Sequence, residues 1–191
     1  MAFNTKKIKV LQAIAFAVLI LLTGIQYEHD AQALEIPPAD WEITSHSGLT
    51  QYSTNGFYID NHELSFIKTE HSCDADILYL SLTSYQEDIH RFEDEIITIK
   101  ITLGEHSELI YVPVLNIADS GVGPQLITLT NFHLNTLFLE DLSNNESVLV
   151  EILEPSIFAE LLTSDKELFR IDGLSQTRQK AQNLCRSGSI S

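Results

Sequence analysis

Positive charge is what this sequence has least of. Eleven Lys and Arg stand against 27 Asp and Glu, a formal net charge of −16. Nucleic acid and anionic membrane surfaces are poor partners for such a chain, because binding to either rests on cationic side chains. A cationic protein is the complementary partner; the simpler use of acidity is to keep a secreted protein soluble. Cysteine is nearly as scarce, with Cys73 and Cys185 the only two. Cys73 is crowded by His71, Asp74 and Asp76, but no second cluster supplies the remaining ligands of a zinc or calcium site, so no metal and no cofactor is expected. Further absences narrow the field. No glycine-rich loop opens a helix to cradle phosphate, and no stripe of aromatic and basic residues marks a nucleic-acid surface. There is no internal repeat and no low-complexity segment.

One long apolar run is present, from Val10 to Leu22. Lys6, Lys7 and Lys9 precede it, and Ala31-Gln32-Ala33 places small residues where a signal peptidase reads them. Residues 1–33 are therefore expected to be a signal peptide cleaved after Ala33, which makes the mature chain periplasmic or secreted. The competing reading, an uncleaved anchor, meets a run shorter than the roughly 20 apolar residues of a membrane span. No cysteine follows the run, which argues against a lipid anchor, and no second apolar segment closes the chain, so no stable membrane anchor is expected after cleavage. The remaining residues 34–191 are enough for one domain with a real core. Three lysines leave with the leader, as do Glu28 and Asp30, so 8 basic residues face 25 acidic ones. In an oxidising compartment the two cysteines read as a bridge rather than a catalytic or metal-binding pair, with separate free thiols as the alternative. A bridge would close a loop of 112 residues, worth on the order of 4–5 kcal/mol by chain entropy.

Alternation of apolar and polar residues predicts mostly strands. Pro37 and Pro38 mark an extended lead-in, Trp41 and Ile43 a short first strand or anchor, and the stretch from Ser45 to Gly56 a short strand and turn. Phe57 and Ile59 are expected to form one strand and Leu64, Phe66 and Lys68 another, separated by Asp60-Asn61. From Cys73 onward, Leu78, Leu80 and Leu82 face one way and Ile77, Tyr79 and Ser81 the other, which predicts a central strand covered on both sides. Gln86 to Glu95 reads as a solvated turn or one helical turn at an edge. Ile97, Ile99, Ile101 and Leu103 alternate with Thr98, Lys100 and Thr102 in a half-buried strand. The strand from Leu109 to Ile117 carries Pro113, which assigns it to an edge or a bulge. Leu126 to Phe132 and Val148 to Ile152 add strands, and His133 to Leu142 and the segment after Ser156 add short helices. The expected fold is mainly β (α+β): a β-sandwich or curved antiparallel sheet of about eight strands, with short helices weighted to the C-terminal half.

Catalytic constellations fail on geometry. Asp119-Ser120-Gly121-Val122-Gly123-Pro124 looks like the nucleophile loop of chymotrypsin-like proteases, and Thr69-Glu70-His71-Ser72-Cys73 mimics their histidine segment. Val122 stands where that motif has glycine, and the spacing leaves no room for a first barrel or for an aspartate to orient the imidazole. A glycine-rich surface loop is the better reading. His46, His62, His90, His106 and His133 sit singly in turns or strand ends. Paired acids such as Glu140 and Asp141 have no pocket around them. The residues expected to meet a protein partner are Glu87, Asp88, Glu93, Asp94 and Glu95 in the acidic stretch, with Asp119 and Ser120 in the loop that ends at Pro124.

The tail runs Phe169-Arg170-Ile171-Asp172-Gly173-Leu174-Ser175 into a helix expected to start near Gln176, with Ser175 as its cap and with Leu174, Arg178, Ala181, Leu184 and Cys185 on one face. This layout, with Cys73 ahead of a strong strand, resembles a loose group of small exported bacterial domains that includes invasion-associated locus B proteins and the type VI secretion-associated protein VasI. The resemblance implies a β-sandwich, a bridge from Cys73 to Cys185, and non-enzymatic roles in the envelope. The reading that follows is a binding or accessory module of the envelope or secretion apparatus that presents an acidic surface to an envelope or secreted protein. Its alternative is a periplasmic inhibitor of a cationic enzyme such as a lysozyme.

Overall fold

The computed structural model describes residues 38–188, except 120, 122, 132, 133 and 135. The expected signal peptide, its cleavage site, Ser120 and the start of the helix expected from His133 lie outside the described residues. Nine strands follow one another: β1 (Glu42–His46), β2 (Leu49–Asn55), β3 (Glu63–Thr69), β4 (Ser72–Ser84), β5 (Ile96–Leu103), β6 (His106–Ala118), β7 (Gln125–Asn131), β8 (Ser147–Glu154) and β9 (Lys166–Arg170). They form one antiparallel sheet in the order β1-β2-β3-β4-β7-β6-β5-β8-β9. The sheet curls until its far parts meet: Gly56, just past β2, bridges Phe169 of β9, and the Phe57 N–H donates to the Leu168 carbonyl at 2.8 Å. The mainly β, curved-sheet expectation is met.

The alternating residues make the core. Thr54, Leu64, Leu80, Leu129 and Val114 stand opposite one another in a row across β2, β3, β4, β7 and β6. Ile97, Ile99 and Ile101 bring the inner face of β5 to the same cluster. Burying a side chain of this size contributes about 1.5–3 kcal/mol. β6 is long enough to serve two neighbours: His106 to Pro113 pairs with β5, and Val114 to Ala118 pairs with β7. Pro113 therefore lies inside the sheet rather than at an edge. Its missing N–H falls where the ladder passes from one neighbour to the other, and the register shift follows at once, between Val114 and Asn116.

Among the described residues four helical segments join the sheet: a 3-10 helix (Glu87–Phe92), α1 (Thr136–Ser143), α2 (Ser156–Leu161) and α3 (Leu174–Gly188). The 3-10 helix connects β4 to β5, which lie three places apart in the sheet, and it plugs the structure with buried Ile89 and Phe92. The acidic stretch is thus a helical turn, as expected: Ile89 and Phe92 are buried and the other residues from Gln86 to Glu95 are exposed. Phe92 meets Phe158 of α2 edge to face at 5.2 Å. Pro155, not Ser156, occupies the cap position of α2.

Three further expectations are corrected. Phe57–Ile59 is a loop and not a strand. β4 is covered on its leucine face only; Tyr79 and Ser81 are half-buried. α3 begins at Leu174 and not near Gln176, because Gly173 takes the left-handed conformation (φ +80) that turns the chain and its carbonyl accepts the Thr177 N–H at 3.0 Å. The buried face of α3 is Leu174, Thr177, Ala181 and Cys185, with Leu184 exposed, and it packs on β2 with β1, β3 and β4 beside it. Cys73 and Cys185 form a disulfide with their Cα atoms 5.7 Å apart. Among the described residues no helix is long and apolar enough to cross a membrane.

Candidate functional site: an acidic corner beside an open groove

The acidic stretch is held rigidly by its backbone. Ile89 and Phe92 fasten the 3-10 helix from within, which leaves Glu87 and Asp88 on the solvent side. The chain then turns at Asp94, whose φ of +68 is a left-handed value that aspartate accommodates better than most residues. The Asp94 N–H donates to the Val114 carbonyl at 3.0 Å, and the Val114 N–H donates to the Glu95 carbonyl at 2.8 Å. The turn is tied to β6 while Glu93, Asp94 and Glu95 project outward. None of these five carboxylates makes an ion pair among the described residues.

Beside this corner lies an open groove of about 660 Å3. Ile96, Leu153 and Pro155 supply apolar lining, and Glu95 and Glu154 supply carboxylates. Ile96 is 64% and Leu153 39% exposed. Large aliphatic side chains left this open, next to unpaired charge of one sign, are the kind of surface that proteins use for association.

The second expected contact segment is placed elsewhere. Asp119 is exposed, and its Oδ1 accepts the Gly121 N–H at 2.9 Å in a tight local turn. The end of this loop, Pro124, borders a different groove of about 480 Å3, formed with Asn55, Asp60, Asn61, Glu63, Ser81, Thr83 and Leu126. The acidic corner and the loop do not share a groove.

Behind that polar groove lies a buried relay that the sequence did not announce. Glu167 Oε2 is 2.8 Å from His62 Nδ1, and His62 Nε2 is 3.0 Å from Thr83 Oγ1. The order acid, imidazole, hydroxyl is that of a hydrolase triad. Its hydrogen bonds make it a structural seam instead. The Thr83 backbone N–H donates to Nε2 at 3.1 Å, so the imidazole proton sits on Nδ1 and points at Glu167, and the lone pair a general base would use is taken. The Thr83 hydroxyl, on a residue 3% exposed, donates to Thr163 Oγ1. Glu167 also accepts the N–H groups of Tyr58, Ile59 and Leu168 at 2.7, 3.2 and 3.0 Å. This carboxylate stitches the loop after β2 to β9, where the curled sheet meets itself.

A second buried charge fastens α3. Asp76 Oδ1 accepts from Lys68 Nζ at 2.5 Å and from the Tyr52 hydroxyl at 2.6 Å, and Oδ2 accepts from Arg178 Nε at 2.7 Å. Burial and the Asp76 charge both push the Tyr52 phenol far above its ordinary value, so it stays a donor. Burial pulls the Lys68 ammonium down against the opposing pull of Asp76. On Arg178 burial pulls the value down, but the hydrogen bond and charge of Asp76, with Tyr52 beside them, together outweigh it and raise the value. Nearer the end of α3, Asp74 takes Arg186 at 2.6 Å and Gln182, and these bonds hold its carboxyl below the usual range. Cys73 is oxidised, and Asp74 and Asp76 are turned to helix partners, so the cluster around His71 is dispersed. His71 sits exposed in the turn before β4, 3.5 Å from Glu70. Among the described residues no three His, Cys, Asp or Glu side chains gather to hold a metal.

Sequence reasoning placed His62 on the surface and passed over Glu167, Ile96 and Leu153. The one available signal was Lys68, which continues the inward alternation of Leu64 and Phe66 and so announces a buried cation in need of an acid. Fold and site together define a mainly β domain, clamped by one disulfide and bearing an acidic corner next to a groove of mixed polar and apolar lining. Compared with protein-family models, curated proteins and solved structures, the chain matches none.

Proposed function

We propose that this protein is an exported, non-enzymatic binding or accessory module of the bacterial envelope or secretion apparatus, which presents an acidic surface to a cationic protein partner. The observation that carries this reading is the acidic corner itself: five carboxylates, Glu87, Asp88, Glu93, Asp94 and Glu95, anchored through buried Ile89 and Phe92 and left unpaired. Like charges held close together raise one another's energy, and a cationic partner relieves that cost. The disulfide is in keeping with an oxidising compartment. The role is of the kind implied by the resemblance to invasion-associated locus B proteins and VasI.

The alternative, an inhibitor that pushes an acidic loop into the cleft of a lysozyme-like enzyme, calls for a projecting element. The corner is flanked by a groove, which favours receiving a partner's side chain over plugging a partner's cleft. The test is capture of purified cationic proteins, a lysozyme among them, with the lysozyme's hydrolytic rate followed in parallel. Binding should weaken steeply between about 20 and 300 mM salt as the screening length shrinks. A Glu93→Gln, Asp94→Asn, Glu95→Gln variant should lose most of it, while neutralising Glu105, Glu140 and Glu146 should not. Equal losses from both triple variants would reduce the acidity to bulk charge.

A further inference from the structure

The groove between β5 and β8 adds what the acidic corner lacks, an apolar contact that can discriminate among cations. Ile96 opens β5 and stands opposite Pro113, two paired positions from Thr98 opposite Tyr111. From the other side Leu153 and Pro155 close the groove, and Glu95 and Glu154 line it with carboxylates. Neither acid makes an ion pair among the described residues, whereas Glu151, three residues before Glu154, is held by Lys100 and Lys166 at 2.8 and 2.7 Å. Glu95 and Glu154 are thus two of the several carboxylates that have no ion-pair partner among the described residues, and they are the two that line the groove.

We infer that this groove is the specificity pocket of the acidic surface, and that its occupant is a segment of a cationic protein that inserts one aliphatic side chain between Ile96 and Leu153 and flanks it with Lys or Arg toward Glu95 and Glu154. The inference rests on the function proposed above and names the partner's chemistry. Charge decides between the occupants. A second copy of this chain would bring a net charge of −16 and the same carboxylates against this rim, and like charges brought together oppose association. A basic segment gains from the same arrangement, and the buried aliphatic group supplies affinity that salt does not screen.

The experiment is a titration of the oxidised protein, with the methyl groups of Ile96 and Leu153 followed by NMR, using three synthetic peptides that carry Lys-Leu-Lys, Lys-Ser-Lys or Glu-Leu-Glu at their centre. The Lys-Leu-Lys peptide should bind about tenfold or more tightly than the Lys-Ser-Lys peptide, as removal of one buried leucine side chain requires. It should shift both methyl groups, and Ile96→Ser, a change at an exposed position, should abolish the preference. Equal binding of the two lysine peptides, sensitive to salt, would overturn the pocket and leave the acidic surface standing. If neither lysine peptide binds, both readings fail. Equal binding of Glu-Leu-Glu would overturn the charged half of the inference. A concentration-dependent dimer in sedimentation that Ile96→Ser dissolves would show that a second copy, not a cationic segment, fills the groove.

Discussion

Replacing Asp76 by asparagine tests how α3 is held to the sheet. The carboxylate has 0% and the Lys68 ammonium 1% side-chain exposure, whereas Arg178 keeps 31%. Asparagine retains the size and removes the charge, so Arg178 can turn to water but Lys68 cannot. It keeps only neutral oxygen partners, the asparagine amide oxygen and the Ala75 carbonyl at 3.5 Å. Breaking a buried ion pair from one side costs about 3–5 kcal/mol, because the other charge stays buried and uncompensated. Urea unfolding of the disulfide-intact protein should therefore show Asp76→Asn less stable by that amount. A Lys68→Met, Asp76→Leu double variant should recover at least about 2 kcal/mol, since two apolar groups of similar size carry no such penalty. The pH dependence has a definite sign. Burial already lowers the Lys68 value from 10.5, and loss of the Asp76 pull lowers it further. Between that lowered value and about 10.5 the unfolded chain binds more protons than the folded one, so the stability of Asp76→Asn should rise with pH across the window. Adding Lys68→Met to it should flatten the rise. A loss under about 1 kcal/mol, or a double variant weaker than the single one, would refute the account.

Gly56→Ala should cost about 1–3 kcal/mol in thermal or urea unfolding, because the new Cβ would stand 2.6 Å from Glu167 Cδ and 2.9 Å from the Ile59 carbonyl, and Glu167 is pinned by its four donors. A neutral effect would mean that the seam between β2 and β9 yields freely. Lys100 first, and then Lys166, hold the Glu151 carboxyl below its ordinary 4.5. The stability this adds is fully present above pH 4.5 and is lost as pH falls through the lower folded value, so Glu151→Gln should flatten the acid limb of the stability curve. Reduction of Cys73–Cys185 should lower stability by about 4–5 kcal/mol. It should also speed amide exchange in α3 before β5 and β6 respond; a reduced protein with an unchanged urea midpoint would contradict that.

Much of the strand content was legible because a strand's code is local. Leu78, Leu80 and Leu82, or Ile97, Ile99 and Ile101, name a buried face by alternation alone. Phe57 and Ile59 carry the same two-residue signal and form no strand, because Glu167, more than a hundred residues away, takes the Tyr58 and Ile59 N–H groups before a ladder can, and the Phe57 N–H goes to the Leu168 carbonyl. Pro113 announced an interruption correctly but could not tell an edge from a strand that changes neighbours. The helix face of α3 was readable at Leu174, Ala181 and Cys185 but not at Leu184, which is exposed, nor at its start, where Gly173 turns the chain two residues earlier than the serine signal indicates.

By itself the sequence determined the class of fold, the net acidity, and the two cysteines available to close the chain. Only the tertiary structure decided which residues are left open. Ile96 and Leu153 each read locally as ordinary strand residues. They line one groove because β5 and β8 lie side by side in the curled sheet, next to the corner that carries Glu93, Asp94 and Glu95. The reverse holds for Asp76, His62 and Glu167, polar residues whose patterns suit a surface and whose partners take them into the core. Burial is set by what comes to cover a side chain, and for these residues the cover arrives from distant parts of the chain.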